Sequence, residues 1–168
     1  MTVALWSDGA DKNVIVLSAA PAGRFLEGYI SGTPKPGMLM QIKAGVAAIM
    51  GRLTWEIFNG AADAERCMIA ILLEDNLQGK TTEDAYENGK RCRLYCPLMG
   101  DEVNVRVGAP GTGTGNAITI GDKFLLDDGT GICVATTGSP ESEPFIAAED
   151  VADVVAAGTL VHCFYTGY

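Results

Sequence analysis

The chain's only histidine is His162, so any Ser-His, Cys-His or histidine-metal chemistry has to pass through it. It lies within Leu160-Val161-His162-Cys163-Phe164, an apolar run of strand length. Neighbouring side chains on a strand point to opposite faces, which keeps the Cys163 thiol away from the imidazole. Cys92 and Cys96, with Leu94 between them, share one face of a strand, and Arg91, Arg93 and Tyr95 share the other. Structural zinc sites commonly take two thiolates separated by two residues, a spacing this pair lacks. Gly79-Lys80-Thr81 sits where a phosphate-binding loop would, after an apolar strand, but the position that must be the loop's first glycine is Glu74, followed by Asp75. Two carboxylates there would repel the anion. In Gly111-Thr112-Gly113-Thr114-Gly115, Asn116 replaces the third glycine of a dinucleotide fingerprint, and an extended run follows instead of a helix. The acidic pairs Asp101-Glu102, Asp127-Asp128 and Glu141 with Glu143 each adjoin Gly or Pro and read as solvated turns. The expectation is a non-enzyme with no catalytic residue, no metal and no cofactor.

The elements that would position any site are strands. Apolar runs recur at Arg91–Pro97, Glu102–Val107, Ala117–Ile120, Lys123–Leu126, Gly131–Thr136 and Leu160–Tyr165, with Gly-Asp, Asp-Gly and Gly-Thr turns between them. Short strands with this punctuation predict a mainly β fold, a small β-barrel or β-sandwich. Cys67–Leu73 is a continuous apolar run that fits a fully buried strand, whereas Glu102-Val103-Asn104-Val105-Arg106-Val107 alternates strictly and predicts a strand with one solvated face. One short helix is expected after Thr81 as its cap, with Asp84 in the first turn and Asn88-Gly89 as the stop. Ala44–Met50 is apolar without a clean period, and Ala147–Ala157 is assigned to loop and strand. No repeat of 20 to 50 residues is visible.

Prolines 34 and 36 fix φ and lack donors, which suits a boundary better than a central strand. Residues 1–32 are accordingly expected to form an extended amino-terminal arm, and residues 33–168 the β-rich domain. The apolar residues of that arm, Leu5, Trp6, Val14, Val16 and Phe25, are the candidates for burial on a neighbouring subunit. Deleting the segment before about residue 30 is then expected to leave a folded barrel that attaches weakly.

A formal charge of −9 argues against a nucleic-acid partner, because that affinity rests on cationic side chains releasing counterions. No segment approaches the roughly 20 apolar residues of a membrane-spanning helix, and no membrane partner is expected. Five cysteines, an odd number and mostly within apolar runs, fit free thiols in a reducing compartment.

An ordered set of short motifs runs from Pro36-Gly37-Met38-Leu39 through Leu73-Glu74-Asp75-Asn76-Leu77-Gln78-Gly79-Lys80 to Asp84-Ala85-Tyr86. It continues with Leu94-Tyr95-Cys96-Pro97, Gly100-Asp101-Glu102-Val103, Ala117-Ile118-Thr119-Ile120-Gly121-Asp122 and Pro144-Phe145-Ile146-Ala147. Over about residues 36 to 168 this resembles the head decoration, or cement, proteins of tailed bacteriophages. The resemblance implies a β-tulip-like domain assembling as a homotrimer on the major capsid protein. It also implies a place on the outer surface of an icosahedral head, at three-fold and quasi-three-fold positions, where the trimer reinforces the shell against DNA pressure. A tail or fibre module of the virion is the alternative reading.

Overall fold

The computed structural model describes residues 14–18, 24–59, 69–75, 79, 81–108, 116–126, 129–135, 143–154 and 158–167. Ten of the thirteen strands among these residues lie in two closed circuits. β2 (Arg24–Ser31), β3 (Leu39–Ile42), β4 (Thr54–Ile57), β5 (Ala70–Leu72) and β6 (Arg91–Cys96) close a barrel in the order β2-β4-β3-β5-β6. β7 (Glu102–Gly108), β9 (Lys123–Leu126), β10 (Cys133–Ala135), β11 (Phe145–Ala147) and β13 (Thr159–Tyr165) run β7-β10-β9-β11-β13, and the pairing of β13 with β7 closes that circuit too. β1 (Val16–Ser18) adds to β7, and β8 (Asn116–Ile118) pairs with β12 (Val151–Val154).

The two rings share one topology. Counting each ring's strands in chain order, both run first-third-second-fourth-fifth, and in both the first and third strands are parallel while every other pairing is antiparallel. The parallel pair follows from parity. Strand direction must return to itself after one circuit, so the number of antiparallel steps is even, and five steps leave at least one parallel. The repetition is of strand order and direction, which a search for residue similarity at short periods does not see.

Alternation sorts the side chains of the first ring between two cores. Met40, Ala70, Leu72 and Leu94 point into the barrel with Trp55, whereas Leu39, Ile71 and Tyr95 point outward. These outward residues join Phe58 and the inward side chains of the second ring, among them Val105, Phe124 and Val161, in one cluster. Strand β5 is thus covered on both faces, as is β6 at Leu94 and Tyr95, which explains why Cys67–Leu73 reads as unbroken apolarity. Inside the barrel, Gly28 is required by a close approach. A Cβ there would lie 2.4 Å from Trp55 Cδ1 and 2.7 Å from the Leu53 carbonyl oxygen.

Arg106 joins the rings. Its Nε donates to the Pro36 carbonyl at 2.9 Å, Nη1 to Gly158 at 2.8 Å, and Nη2 to Thr82 at 2.6 Å, with Glu83 Oε1 at 3.1 Å. The neighbouring polar residue, Asn104, donates from Nδ2 to the Val14 carbonyl. Asn104 and Arg106 are both buried, so on the polar face of β7 only Glu102, at the strand's start, reaches water. This corrects the half-exposed strand expected from its alternation: residues 14–15 and the first ring's loops cover the polar side.

Three other expectations change. Residues Thr81–Asn88 are not helical, and no helix occurs among the described residues. Asp84 Oδ2 accepts from both the backbone N–H and the hydroxyl of Thr81, while Tyr86 donates from its N–H to Pro34 and from its hydroxyl to Leu73. Anchoring to the barrel outweighs a helix too short to recover its nucleation cost. The arm expected over residues 1–32 does not hold for Arg24–Ser31, which is barrel strand β2, paired with β4 and β6 on its two edges. Residues 1–13 lie outside the described residues. Asp101 is buried instead of solvated, accepting from the Tyr95 hydroxyl and the Leu98 N–H.

Candidate contact surface

The groups weighed for chemistry are dispersed by the fold. Cys92 is buried in the first barrel, where desolvation pushes its thiol up to about 12. Cys96 on the same strand is half-buried, and burial also raises its thiol. His162 belongs to the second ring, facing Glu102 Oε2 at 3.3 Å without hydrogen-bond geometry and lying beside the Phe164 ring. Cys163 points away from it into the shared core. Thr81 is turned toward Asp84, Glu143 pairs with Lys123 at 3.0 Å, and Gly111–Gly115 lie outside the described residues. No cluster of three potential metal ligands occurs among the described residues.

The candidate contact residues from the sequence fare differently. Leu5 and Trp6 lie outside the described residues. Val14 offers its carbonyl to Asn104, and Val16 pairs with Val103 and packs against the shared core, so both are engaged within the chain. Phe25 is 53% exposed, with its ring 5.0 Å from Tyr95 and the Arg93 guanidinium 5.9 Å above it. It is a solvent-facing aromatic on the barrel wall.

The feature the sequence left unassigned is the connection between β3 and β4. It leaves the barrel as a finger closed at its base by Lys43 N–H to Thr54 O and at its tip by reciprocal Ile49 and Arg52 backbone bonds of 2.9 Å. At the tip Met50 has φ 51° and Gly51 φ 78°, the two left-handed positions of a type I′ turn. Asparagine and glycine usually fill such a turn. A methionine in the first position costs about 1–2 kcal/mol of backbone strain. Residues 44–51 are all exposed and carry no charge, and Met50 is 86% exposed, with Val46, Ile49 and Leu53 each above 40%. Below the tip Arg52 pairs with Glu27 at 2.6 Å and Lys43 donates to Ser31 Oγ at 2.7 Å. The finger is thus an apolar tip on a collar of paired charges. Other exposed apolar residues, such as Met99 and Ile120, occupy separate turns. A sustained uncharged run of small and apolar residues was the available signal, but without periodicity it could not be told from a core segment.

No protein-family model and no curated protein matches the chain. Among solved structures it is similar to the head fibre gp8.5 N base of bacteriophage phi29, at 14% sequence identity. The likeness covers 86% of this chain and 94% of that one, with a TM-score of 0.50. At that identity it is a likeness of fold, and it extends across both rings.

Proposed function

We propose that this protein is a structural component of a bacteriophage virion, a decoration (cement) protein that binds the outer surface of an icosahedral head as a homotrimer on the major capsid protein. It works without catalysis, cofactor, nucleic acid or membrane. The observation that carries this reading is the likeness in fold of 86% of the chain to a phage head-fibre base, joined to the ordered motifs that resemble those of decoration proteins. A protein of this kind acts by mass action, binding the assembled lattice better than free subunits, so a modest contact is multiplied over many sites. The same structural likeness favours a second reading, the attachment base of a head fibre.

Co-sedimentation with undecorated phage heads tests both, alongside the mass in solution by light scattering. Saturable binding in multiples of three per site, with shells that resist heat or osmotic shock better when coated, is the expected result for a cement protein. Binding that leaves shell resistance unchanged would favour the fibre base. A folded protein that ignores heads would refute both.

A further inference from the structure

The β3–β4 finger occupies one pole of the molecule and the second ring the other. β3 starts at Leu39, whose N–H is held by the Gly131 carbonyl of the second ring, and β4 ends at Ile57, beside Gly131, with Phe58 returning to Leu39. The ends of β3 and β4 that meet the second ring are therefore opposite the ends that carry the finger. Charge follows the same axis. Among the described residues, those of 24–96 include seven Lys/Arg and seven Asp/Glu, whereas those of 102–167 include two and six. The molecule has an uncharged apolar tip at one end and a strongly acidic ring at the other.

The rings' common topology supplies an internal control. The connection equivalent to the finger joins β9 to β10 and reads Asp127-Asp128-Gly129-Thr130-Gly131-Ile132, short and acidic, with Gly131 packed against the first ring. The same place in the first ring is longer, apolar, strained and in water. A hairpin of that length can end in Asn-Gly at no strain, so turn geometry does not call for Met50, whose engagement with the barrel is the exposed contact of its Sδ with the Tyr29 hydroxyl at 3.6 Å.

We propose that the finger is the attachment element: it inserts into an uncharged, apolar seat between protein subunits of an assembled shell and leaves the acidic ring facing solvent. This rests on the attachment reading above and adds the orientation. The occupant follows from area. The finger's four apolar side chains present on the order of 300–400 Å², typical of the largest patch on an ordinary monomer. A standard stable interface buries about 800 Å² per partner, so this tip alone does not hold two copies of the chain together in solution. On a lattice that engages many copies at once, a contact of this size is enough.

The test uses the full chain with Met50→Asn, Met50→Asp and, as a control at the acidic pole, Ile120→Asp. Asparagine tolerates the left-handed position, so Met50→Asn should melt at the same temperature as the parent or higher. Binding of Met50→Asn to undecorated heads should nevertheless weaken about tenfold, the loss expected for removing a buried methionine side chain. Met50→Asp should weaken it further. Ile120→Asp should bind within about twofold of the parent, by the same reasoning that an exposed side chain outside the contact contributes little. Unchanged binding by both Met50 variants, with the parent binding normally, would overturn the finger assignment and leave the attachment reading standing. A change in solution mass for those variants would overturn it as well, by making the finger a contact between copies. A parent that does not bind heads would remove the attachment reading and this inference together.

Discussion

Replacing Arg106 with methionine tests whether one guanidinium holds the two rings together. The side chain donates to three carbonyls, those of Pro36, Thr82 and Gly158, on three segments distant in sequence. All three residues are buried. Methionine fills much of the same volume but leaves those acceptors without their charged donor, and a hydrogen bond to a charged group contributes about 1.5–3 kcal/mol. Taking the lower end, because water can enter beside the exposed Glu83, the loss is about 4–5 kcal/mol, a large share of the ~5–15 kcal/mol that stabilises a typical domain. At about 2–4 °C per kcal/mol for a chain of this size, the melting midpoint should fall by roughly 10–20 °C. Circular dichroism melts of Arg106→Met, Arg106→Lys and Glu83→Gln would measure this. Lysine should recover only part of the loss, since one ammonium cannot span three carbonyls in the guanidinium plane. Glu83→Gln should shift the midpoint little, because the Glu83 carboxylate is 66% exposed and such pairs contribute below about 1 kcal/mol. An Arg106→Met midpoint within about 3 °C of the parent would refute the reasoning.

Gly28→Ala should destabilise the first barrel by about 1–3 kcal/mol, because the added methyl meets Trp55 and the Leu53 backbone; a lowered urea midpoint together with altered tryptophan fluorescence would register it. Deletion of residues 1–31 removes β2, which pairs on both edges, so the variant should lose cooperative melting and bind a hydrophobic dye; a sharp parental melt would count against the closed first ring. The molecule should also weaken in alkali. Burial raises the Cys92 thiol to about 12 and lifts the Tyr86 and Tyr95 hydroxyls further, with Asp75 adding to Tyr86 and the Asp101 hydrogen bond to Tyr95. These acids stay neutral when folded and ionise when unfolded, so stability is level below the unfolded values of 9.0 and 10.0 and declines as pH rises above them. Cys92 alone loses about 1.4 kcal/mol per pH unit in that window, and urea midpoints at pH 8 and pH 10.5 would read the decline.

Strand placement was legible where turn residues bracket apolar runs. The expected Lys123–Leu126 and Leu160–Tyr165 correspond closely to β9 and β13, and Cys67–Leu73 contains the buried β5. What failed depends on contacts between segments distant in sequence. Alternation in Glu102–Val107 shows that two faces differ in polarity, but not that the polar face is covered by another ring whose carbonyls match Arg106. Prolines 34 and 36 do mark an interruption, yet it is a connection within the barrel: Pro36 offers its carbonyl to Arg106 and Pro34 accepts from Tyr86, so the chain on both sides belongs to one ring. The finger escaped for a related reason, since an apolar run reads the same whether the fold encloses it or leaves it in water.

Closure of both rings has a mechanical consequence. A strand at the open edge of a sheet can be peeled away one hydrogen bond at a time under a small force. In either ring each strand is flanked on both sides; β13, for instance, lies between β7 and β11. Tension applied at Tyr165 therefore loads two ladders together, and the strand leaves only when both give way. Such a body resists sustained pulling through circular connectivity instead of through any single strong bond.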